Sequence, residues 1–425
     1  MTSRLKAGTA IAALLLTAGT ASAQELSLLV GNSPDTVAIA EALTAAYTER
    51  NPEVTFSVEV RPGGAEGDNV VKTRLATGEM GDLFQYNSGS LLQALRPART
   101  LEPLNDLDNI GNVIDSFLPT VSDADGNVYG IPDQSAMGGG ILYHIPTYEE
   151  LGLEVPTTWD QFMENNAAIA EQTDKAPVIQ TYRATWTSQI LVLADYYNVE
   201  QQAPGFADRF TANEAKFATT PAALQGFERL QELNEAGYLN EDYGAATYED
   251  GLEMIARGEG VHYPMLTFAI GALQQNYGDL MEDIGFFAQP GESADQNGLT
   301  VWMPSAYFMP RDAEHPEIAR DFLNWMATDE ACQVIIDAVG ATGPYLIEGC
   351  DLPDGVPTSV SDMMPYFERE GGTFPALEFL SPVKGPALEQ LTVEVGSGIR
   401  DAQGAAELYD QDVAKQARQL GLEGW

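Results

Sequence analysis

Strand-like and helix-like patterns alternate from residue 25 onward. Residues 25–30 form a mostly apolar run, which is typical of a buried strand, and residues 37–47 carry apolar side chains at helical spacing. Apolar and polar residues alternate over 54–60, which predicts a strand with one face in solvent. A helix over roughly 68–78 and a strand at 82–86 follow. This order predicts an α/β fold with a mostly parallel sheet, whose ligands bind at the carboxyl ends of the strands.

Helix signals recur in the rest of the chain. Thr158 and Gln161 form a capping box ahead of one predicted helix, and Thr220-Pro221 begins another. Residues 316–327 have the spacing of a third amphipathic helix. The sequence contains neither a repeat of fixed period nor a low-complexity linker, so we expect ordered crossings between domains.

The first 23 residues have the pattern of a signal peptide. Two basic residues precede an apolar stretch at 10–16, and Ala21-Ser22-Ala23 has the small residues of a cleavage motif. The apolar stretch is too short to span a bilayer, and no cysteine follows it for lipid attachment. We therefore expect cleavage after Ala23 and a mature protein in the periplasm.

Charge narrows the possible partners. The 425 residues include 63 Asp and Glu against 21 Lys and Arg, a net charge of −42. Such a surface repels phosphate groups, which argues against nucleic acid as a partner. With three histidines and no metal or phosphate-loop motif, the sequence predicts neither a metal nor a cofactor. In an oxidising compartment Cys332 and Cys350 form one disulfide or remain two buried thiols.

Several short motifs occur in an order that resembles one protein family. They are Leu101-Glu102-Pro103-Leu104, Tyr129-Gly130-Ile131-Pro132, Gly152-Leu153 and residues 156–162. This order is similar to that of the extracellular solute-binding proteins of ABC importers, of the maltose-binding type. The resemblance implies the type II periplasmic-binding-protein fold, an α/β fold with two lobes joined by a hinge. Each lobe would have a central, mostly parallel sheet flanked by helices.

The same resemblance implies that each lobe is discontinuous in the sequence. Lobe one would comprise residues 24–131 and 299–338, and lobe two residues 132–298 and 339–425. A small-molecule ligand would bind in the cleft between the lobes. The closed form, as a monomer, would then be recognised by the permease subunits of an ABC transporter in the inner membrane.

A sugar site needs aromatic surfaces for the ring faces and polar side chains for the hydroxyls. Strand ends, hinge crossings and segments in which the family carries ligand contacts supply the candidates. These are Asn32, Ser33, Glu66, Tyr86, Asn87, Asp133, Gln134, Trp186, Thr267, Phe268, Trp302 and Tyr345. Four of them have an alternative role: Trp186 and Trp302 suit a core equally well, Ser33 suits a helix cap equally well, and Glu66 suits a solvated loop better than the site.

Three functions remain open at this point. The first is capture of a sugar or oligosaccharide by a periplasmic binding protein, which has no catalytic activity. The second, in the same fold, is capture of a polyol or polyamine, for which paired carboxylates around an aromatic box would be the sign. The third is an exported carbohydrate-active enzyme that uses two carboxylates, although no pair stands out. We expect the first.

Overall fold

The computed structural model describes residues 24–425, so the predicted signal peptide lies outside the described residues. Strands and helices alternate along this range, linked by loops and short 3₁₀ turns. The first elements are β1 (Gln24–Gly31), α1 (Pro34–Arg50), β2 (Val54–Arg61), α2 (Gly64–Thr77), β3 (Leu83–Tyr86), α3 (Ser90–Ala94), α4 (Pro97–Thr100), β4 (Gly130–Pro132), β5 (Met137–His144), α5 (Ile145–Leu151), α6 (Trp159–Gln172), β6 (Ala176–Val178), α7 (Ile190–Ala194), α8 (Tyr196–Gln202), α9 (Phe206–Thr211) and α10 (Pro221–Glu235).

The remaining elements complete two sheets and their covering helices. They are α11 (Tyr248–Arg257), β7 (Gly260–Leu266), α12 (Ala269–Tyr277), β8 (Ile284–Ala288), β9 (Leu299–Trp302), β10 (Ala306–Phe308), α13 (Pro316–Met326), α14 (Asp329–Val339), α15 (Thr358–Glu368), β11 (Thr373–Pro375), α16 (Leu377–Leu380), α17 (Leu388–Gly396) and α18 (Ala402–Leu420). None of the helices between residues 24 and 425 is long and apolar enough to cross a membrane.

The first sheet has the strand order β2-β1-β3-β10-β4. Strand β1 is parallel to β2 and β3, as the alternating pattern at the start of the chain predicts. Strand β10 is antiparallel to both β3 and β4. The prediction of a mostly parallel sheet therefore holds for β1 to β3 only. The reason is topological: β4 carries the chain out of this sheet and β10 carries it back, so the two run in opposite directions.

The second sheet has the order β11-β9-β5-β7-β6, with β8 paired to β5. Strand β5 is antiparallel to β7, β8 and β9, whereas β6 is parallel to β7 and β11 to β9. This sheet is also mixed rather than mostly parallel, because β5 brings the chain in and β9 takes it out. We call the elements around the first sheet the first lobe and those around the second sheet the second lobe.

The chain crosses between the lobes at three places. The first crossing is 133–136, between β4 and β5, and the second is 303–305, between β9 and β10. After α14, the backbone N–H of Glu348 still donates to the carbonyl oxygen of Asn112 in the first lobe, at 2.7 Å. Cys332 of α14 forms a disulfide with Cys350. The third crossing follows, and α15 then packs against β8.

A shared core joins the lobes behind the hinge. Helix α12 of the second lobe packs against α1 and α14 of the first. Its fully buried Ile270 and Leu273 belong to the same apolar cluster as Ile39 and Leu43 of α1. Because this side is closed by continuous packing, the opposite side is where the lobes face each other across a cleft.

Candidate functional site

A cavity of about 370 Å³ lies in this cleft. Its lining includes the residues at or just beyond the ends of three parallel strands, namely Gly31 at the end of β1, Arg61 at the end of β2 and Asn87 after β3. The carboxyl ends of parallel strands meet at one edge of a sheet, which is where ligands of such sheets bind. The cavity therefore lies where the strand order predicts a ligand site.

The first lobe lines the cavity with polar side chains, which we call the polar wall. Loops after the strands and the first turns of helices supply them, and among residues 24–425 the first lobe contributes no aromatic side chain to the lining. The members are Asn32, Ser33, Asp35, Thr36, Arg61, Asp68, Asn69, Lys72, Gln85, Asn87, Ser88 and Ser90. This wall offers amides, hydroxyls and charges of both signs, the groups that hydrogen-bond sugar hydroxyls.

The second lobe lines the cavity with an aromatic wall, which consists of Trp186, Phe268, Trp302 and Phe379. Apolar side chains surround these four rings, including those of Met137, Ile190, Leu193 and Leu266. Trp186 belongs to a 3₁₀ turn, and its ring centroid is 5.8 Å from that of Phe268. Broad aromatic surfaces suit the weakly polar C–H faces of a sugar ring.

Local folding sets the orientation of the polar wall. Ser33 precedes α1, but its hydroxyl makes no capping bond to the helix backbone and donates instead to Thr36 Oγ1 at 2.7 Å. Gly63 precedes α2, and it has no side chain to cap this helix. The two helices thus present backbone N–H groups at the edge of the cavity, where polar ligand groups are favoured.

Arg61 connects the polar wall to the core behind it. Its guanidinium donates to the backbone oxygens of Pro62 and Gln85, at 3.2 and 3.3 Å, and lies 5.5 Å from the centroid of the Tyr86 ring. The residue is 7% exposed, and burial lowers the pKa of its guanidinium. Arg61 is thus fixed at the cavity while Tyr86 supports it from the protein interior.

Two buried carboxylates lie beneath the polar wall. Asp133 accepts a hydrogen bond from Gln85 Nε2 at 2.9 Å, and Asp35 accepts one from Gln134 Nε2 at 3.2 Å. Burial raises the pKa of Asp133 to about 7; the bond from Gln85 opposes this rise and the nearby Asp35 adds to it. Burial also raises the pKa of Asp35. Both acids therefore favour the protonated form more than an exposed aspartate does.

The two walls meet at the rim of the cavity. On one side Gly64 of α2 faces Glu389 of α17, and a Cβ atom on this glycine would lie 3.2 Å from the carboxylate. On the other side Gly89 faces α16, and a Cβ atom here would lie 2.6 Å from the carbonyl oxygen of Glu378 and 2.7 Å from the Phe379 ring. Glycine at these positions permits the lobes to approach closely.

The family follows from comparison with known proteins. The model of bacterial extracellular solute-binding proteins matches residues 31–331. The chain belongs to this family. Members of the family are extracellular, so this solute-binding protein is an exported protein. The resemblance seen in the sequence motifs is thereby confirmed.

Relatives and solved structures support the same placement. This solute-binding protein is 24% identical to the Multiple sugar-binding protein of Streptococcus mutans, over 71% of this chain and 70% of that protein. It is 23% identical to the Diacetylchitobiose binding protein DasA of Streptomyces coelicolor, over 69% and 60% of the two chains. It superimposes on a chitin oligosaccharide binding protein with a TM-score of 0.81 and 20% identity, covering 93% of this chain and 100% of that one. RafE in complex with raffinose gives 0.74 and 21%, covering 93% and 99%. The two-lobed α/β fold is confirmed.

Seven of the twelve candidate residues line the cavity of this solute-binding protein. Two of the seven, Trp186 and Trp302, pack against apolar neighbours and also line the cavity, so a core position and access to the cavity are compatible for both. The seven are Asn32, Ser33, Asn87, Gln134, Trp186, Phe268 and Trp302. Loops from both lobes bring them together.

The other five candidates lie elsewhere, for identifiable reasons. Tyr86 follows Gln85 on β3, and adjacent strand residues point to opposite faces, so Gln85 reaches the cavity and Tyr86 the core. Asp133 is buried beneath the polar wall. Thr267 Oγ1 accepts a hydrogen bond from the backbone N–H of Gly138 at 3.0 Å. Glu66 is exposed on α2. Tyr345 lines a smaller pocket at the lobe junction.

Sequence reasoning missed several cavity residues. Asn69 and Lys72 are not among the candidates, although their spacing of three on a predicted helix places them on one face. Glu378, Phe379 and Glu389 carry no local signal, since they come from loops and short helices far along the chain. In the described part of the chain, no group of three or more His, Cys, Asp or Glu side chains is arranged to hold a metal ion.

Proposed function

We propose that this protein is the periplasmic substrate-binding component of an ABC transporter and captures a sugar or oligosaccharide between its lobes. The observation that carries the proposal is the pairing of an aromatic wall with a polar wall across a cavity of about 370 Å³. One wall suits the faces of a sugar ring and the other its hydroxyls. The named relatives, a multiple sugar-binding and a diacetylchitobiose binding protein, support a carbohydrate ligand.

The carboxylates of the cavity favour a sugar over a polyamine. Glu378 accepts hydrogen bonds from Trp302 and Lys384, and Glu389 accepts one from Thr185 Oγ1 at 2.7 Å. Asp35 is engaged by Gln134, which leaves Asp68 as the one carboxylate of the described cavity lining without a side-chain hydrogen bond. Acids that already bond to neighbouring side chains are poorly placed to bind the ammonium groups of a polyamine. The same engagement leaves no free pair for the two-carboxylate chemistry of a glycosidase, so we infer binding without catalysis.

We infer that the first lobe comprises residues 24–132 and 306–350, and the second lobe residues 137–302 and 358–425. Strand pairing supports these limits, because β9 joins the second sheet, whereas the family resemblance implies that residues 299–338 belong to lobe one. A ligand that contacts both walls stabilises the closed arrangement, in which Gly64 and Gly89 touch the second lobe. A permease in the inner membrane then receives the closed monomer.

Processing and location complete the proposal. The signal peptide over residues 1–23 is cleaved after Ala23, and the mature chain acts in the periplasm. N-terminal sequencing of the secreted protein tests this, with Gln24 expected as the first residue. A different first residue would move the cleavage site, and an uncleaved chain would contradict the proposal.

A thermal-shift screen tests the ligand class. The panel contains galactose, diacetylchitobiose, raffinose, stachyose and, as the cationic alternative, spermidine. A ligand that binds the folded state alone stabilises it by about 2.7 kcal/mol at a concentration a hundred times its Kd. We expect a saccharide to raise the melting temperature and spermidine to leave it unchanged. A shift with spermidine and with none of the saccharides would overturn the carbohydrate assignment, and release of reducing sugar would overturn the absence of catalysis.

A further inference from the structure

One face of the Trp302 indole packs against strand β5 at a glycine, which has no side chain. The indole lies against Gly139 of β5, where a Cβ atom would be 2.2 Å from a carbon of its six-membered ring. Strands β5 and β9 pair at this point, with Met137 opposite Trp302. Glycine at position 139 therefore lets the indole lie directly on the sheet, and the residue is only 5% exposed.

The edge of the same indole is held by a carboxylate. Trp302 Nε1 donates a hydrogen bond to Glu378 Oε1. Lys384 Nζ donates to the other oxygen, Glu378 Oε2, at 3.0 Å. The Glu378 and Lys384 side chains are 13% and 14% exposed. Hydrogen bonds to ionised groups are stronger than neutral ones, and solvent screens this pair little.

We propose that Glu378 is a positioning residue that holds the Trp302 indole as a fixed platform for the ligand, with Lys384 and Gly139 completing the holder. Both oxygens of Glu378 are used inside the protein, so this carboxylate acts through Trp302 rather than by binding a charged ligand group. The identity of the ligand as a sugar rests on the proposed function.

Pre-ordering the platform favours binding for a simple physical reason. Fixing a mobile side chain at an interface costs about 0.5–1.5 kcal/mol, which is about two- to twelvefold in affinity. An indole that is already fixed avoids this cost when a sugar ring stacks on it. The holder also lies next to the rim, since Phe379 follows Glu378 and meets Gly89 of the first lobe. The residue that holds the platform and the closing contact thus belong to one short helix, α16.

Indole magnetic resonance tests the holder without any ligand. The full mature chain is labelled with ¹⁵N at the tryptophan indoles, and the signal of Trp302 is assigned by its loss in Trp302→Phe. In Glu378→Leu, which has similar volume but no acceptor, we expect the signal to shift and its hydrogen exchange to speed up about tenfold or more. Glu378→Gln keeps an acceptor oxygen and is expected to restore slow exchange.

Glu389→Leu is the matched control, because it removes another cavity carboxylate that bonds to Thr185 rather than to Trp302. The Trp302 signal is expected to remain unchanged in it. If Glu378→Leu leaves the shift and exchange of Trp302 as in wild type, or if Glu378→Gln behaves like Glu378→Leu, the proposal is wrong. Thermal unfolding of each variant excludes a general loss of folding.

A double-mutant cycle connects the holder to binding. The probe is diacetylchitobiose or raffinose, whichever raises the melting temperature in the screen. We expect Glu378→Leu to weaken binding about three- to tenfold in wild type and to have no further effect in Trp302→Phe, because the carboxylate acts through the indole. Equal losses in both backgrounds would overturn the positioning role. If neither saccharide binds, the proposed function fails, and the indole measurement still decides whether Glu378 holds Trp302.

Discussion

The two walls of the cavity differ in both chemistry and construction. The polar wall is made of loops and helix starts at the ends of β1, β2 and β3, which are close together in sequence. The aromatic wall is made of Trp186, Phe268, Trp302 and Phe379, which are spread over almost two hundred positions of the chain. One wall thus follows from strand order, whereas the other exists only once the second lobe has folded.

This difference indicates how a ligand would be held. Apolar surface gains most from releasing water, and the second lobe presents it as a preformed face. The first lobe supplies hydrogen bonds, each worth about 0.5–1.5 kcal/mol net, which depend on correct distances and so on closure. We expect the aromatic wall to contribute more of the affinity and the polar wall more of the selectivity.

The largest expected effect concerns the buried acid beneath the polar wall. Asp133 is 1% exposed and has a raised pKa of about 7, so the folded chain binds a proton here that the unfolded chain releases near its ordinary value of about 3.9. Its contribution to stability is present at low pH and is lost as the pH rises from about 4 to about 7. Asp133→Asn removes this loss, because the amide carries no charge. We expect the variant to gain up to about 4 kcal/mol over wild type by pH 8, measured from unfolding at several pH values.

A buried acid of the second lobe is the matched control. Asp195 is paired with Arg229, whose side chain is equally buried. Asp195→Asn leaves this guanidinium without its buried partner, which typically costs about 3–5 kcal/mol. The two substitutions are therefore expected to have opposite signs at pH 8. If the stability of Asp133→Asn followed that of wild type across the whole pH range, burial would not raise the pKa of Asp133 in the folded protein.

The next effect concerns the rim where the walls meet. Gly89 has a φ of 67°, and a Cβ atom would lie 2.6 Å from the Glu378 carbonyl oxygen of the second lobe. Gly89→Ala is expected to weaken the binding of the saccharide found in the screen by about thirtyfold, because strain of about 2 kcal/mol falls on the closed state. Isothermal titration calorimetry measures this change in affinity.

Gly126→Ala separates closure from backbone strain. Gly126 also has a positive φ, 82°, but a Cβ atom there would meet nothing within 4 Å. Both alanine variants are expected to lose some stability, and only Gly89→Ala to lose affinity. Equal affinity in both would mean that the rim at Gly89 does not limit closure.

The two walls also differ in how far the sequence predicted them. The alternating pattern at 54–60 and the buried run at 25–30 are local signals, and β2 and β1 form there. The polar wall follows from the rule that ligands gather at the ends of parallel strands, and Asn32 and Asn87 were selected on that basis. Tyr86 is a candidate because it ends β3, where the family carries an aromatic contact. The interpretation misses that one position along a strand reverses the face.

The aromatic wall was predicted only where the family resemblance pointed to it. Trp186 and Phe268 lie in segments where the family places ligand contacts, and Trp302 is a candidate because of the hinge that the family implies. Trp186 and Trp302 each have a core alternative. Phe379 and Glu378 follow β11, which pairs with β9 through Thr373 and Leu299. The periodicity of apolar residues is a local signal and does not indicate contacts between segments so far apart in the chain. Long-range pairing of this kind is decided by tertiary packing, which a single sequence does not display.

A smaller effect is expected from the aromatic wall itself. Trp186 is half-buried and packs beside Phe268 and Tyr248, so truncation leaves these rings in contact with each other. Trp186→Ala is expected to weaken saccharide binding by about tenfold, since stacked contacts are worth about 0.5–1.5 kcal/mol beyond the area they bury. The change in tryptophan fluorescence on binding is expected to shrink. Trp425→Phe is the control, because the Trp425 indole bonds to the Thr211 carbonyl instead, and it should leave the fluorescence change intact. A fluorescence change of undiminished size in Trp186→Ala would contradict contact between Trp186 and the ligand.

The smallest effect tests the polar wall at one amide. Asn87 is exposed at the end of β3 and lines the cavity, so Asn87→Ala should leave the melting temperature unchanged and remove one hydrogen bond to the ligand. A loss of about 1 kcal/mol corresponds to about fivefold in affinity, less than for Trp186→Ala. Glu66→Ala is the control, because Glu66 is exposed on α2 outside the cavity lining, and its affinity should equal that of wild type. If Asn87→Ala lowers the affinity more than Trp186→Ala does in the same titration, the polar wall contributes the larger share of the affinity. The aromatic wall, with its release of water from apolar surface, would then contribute the smaller share.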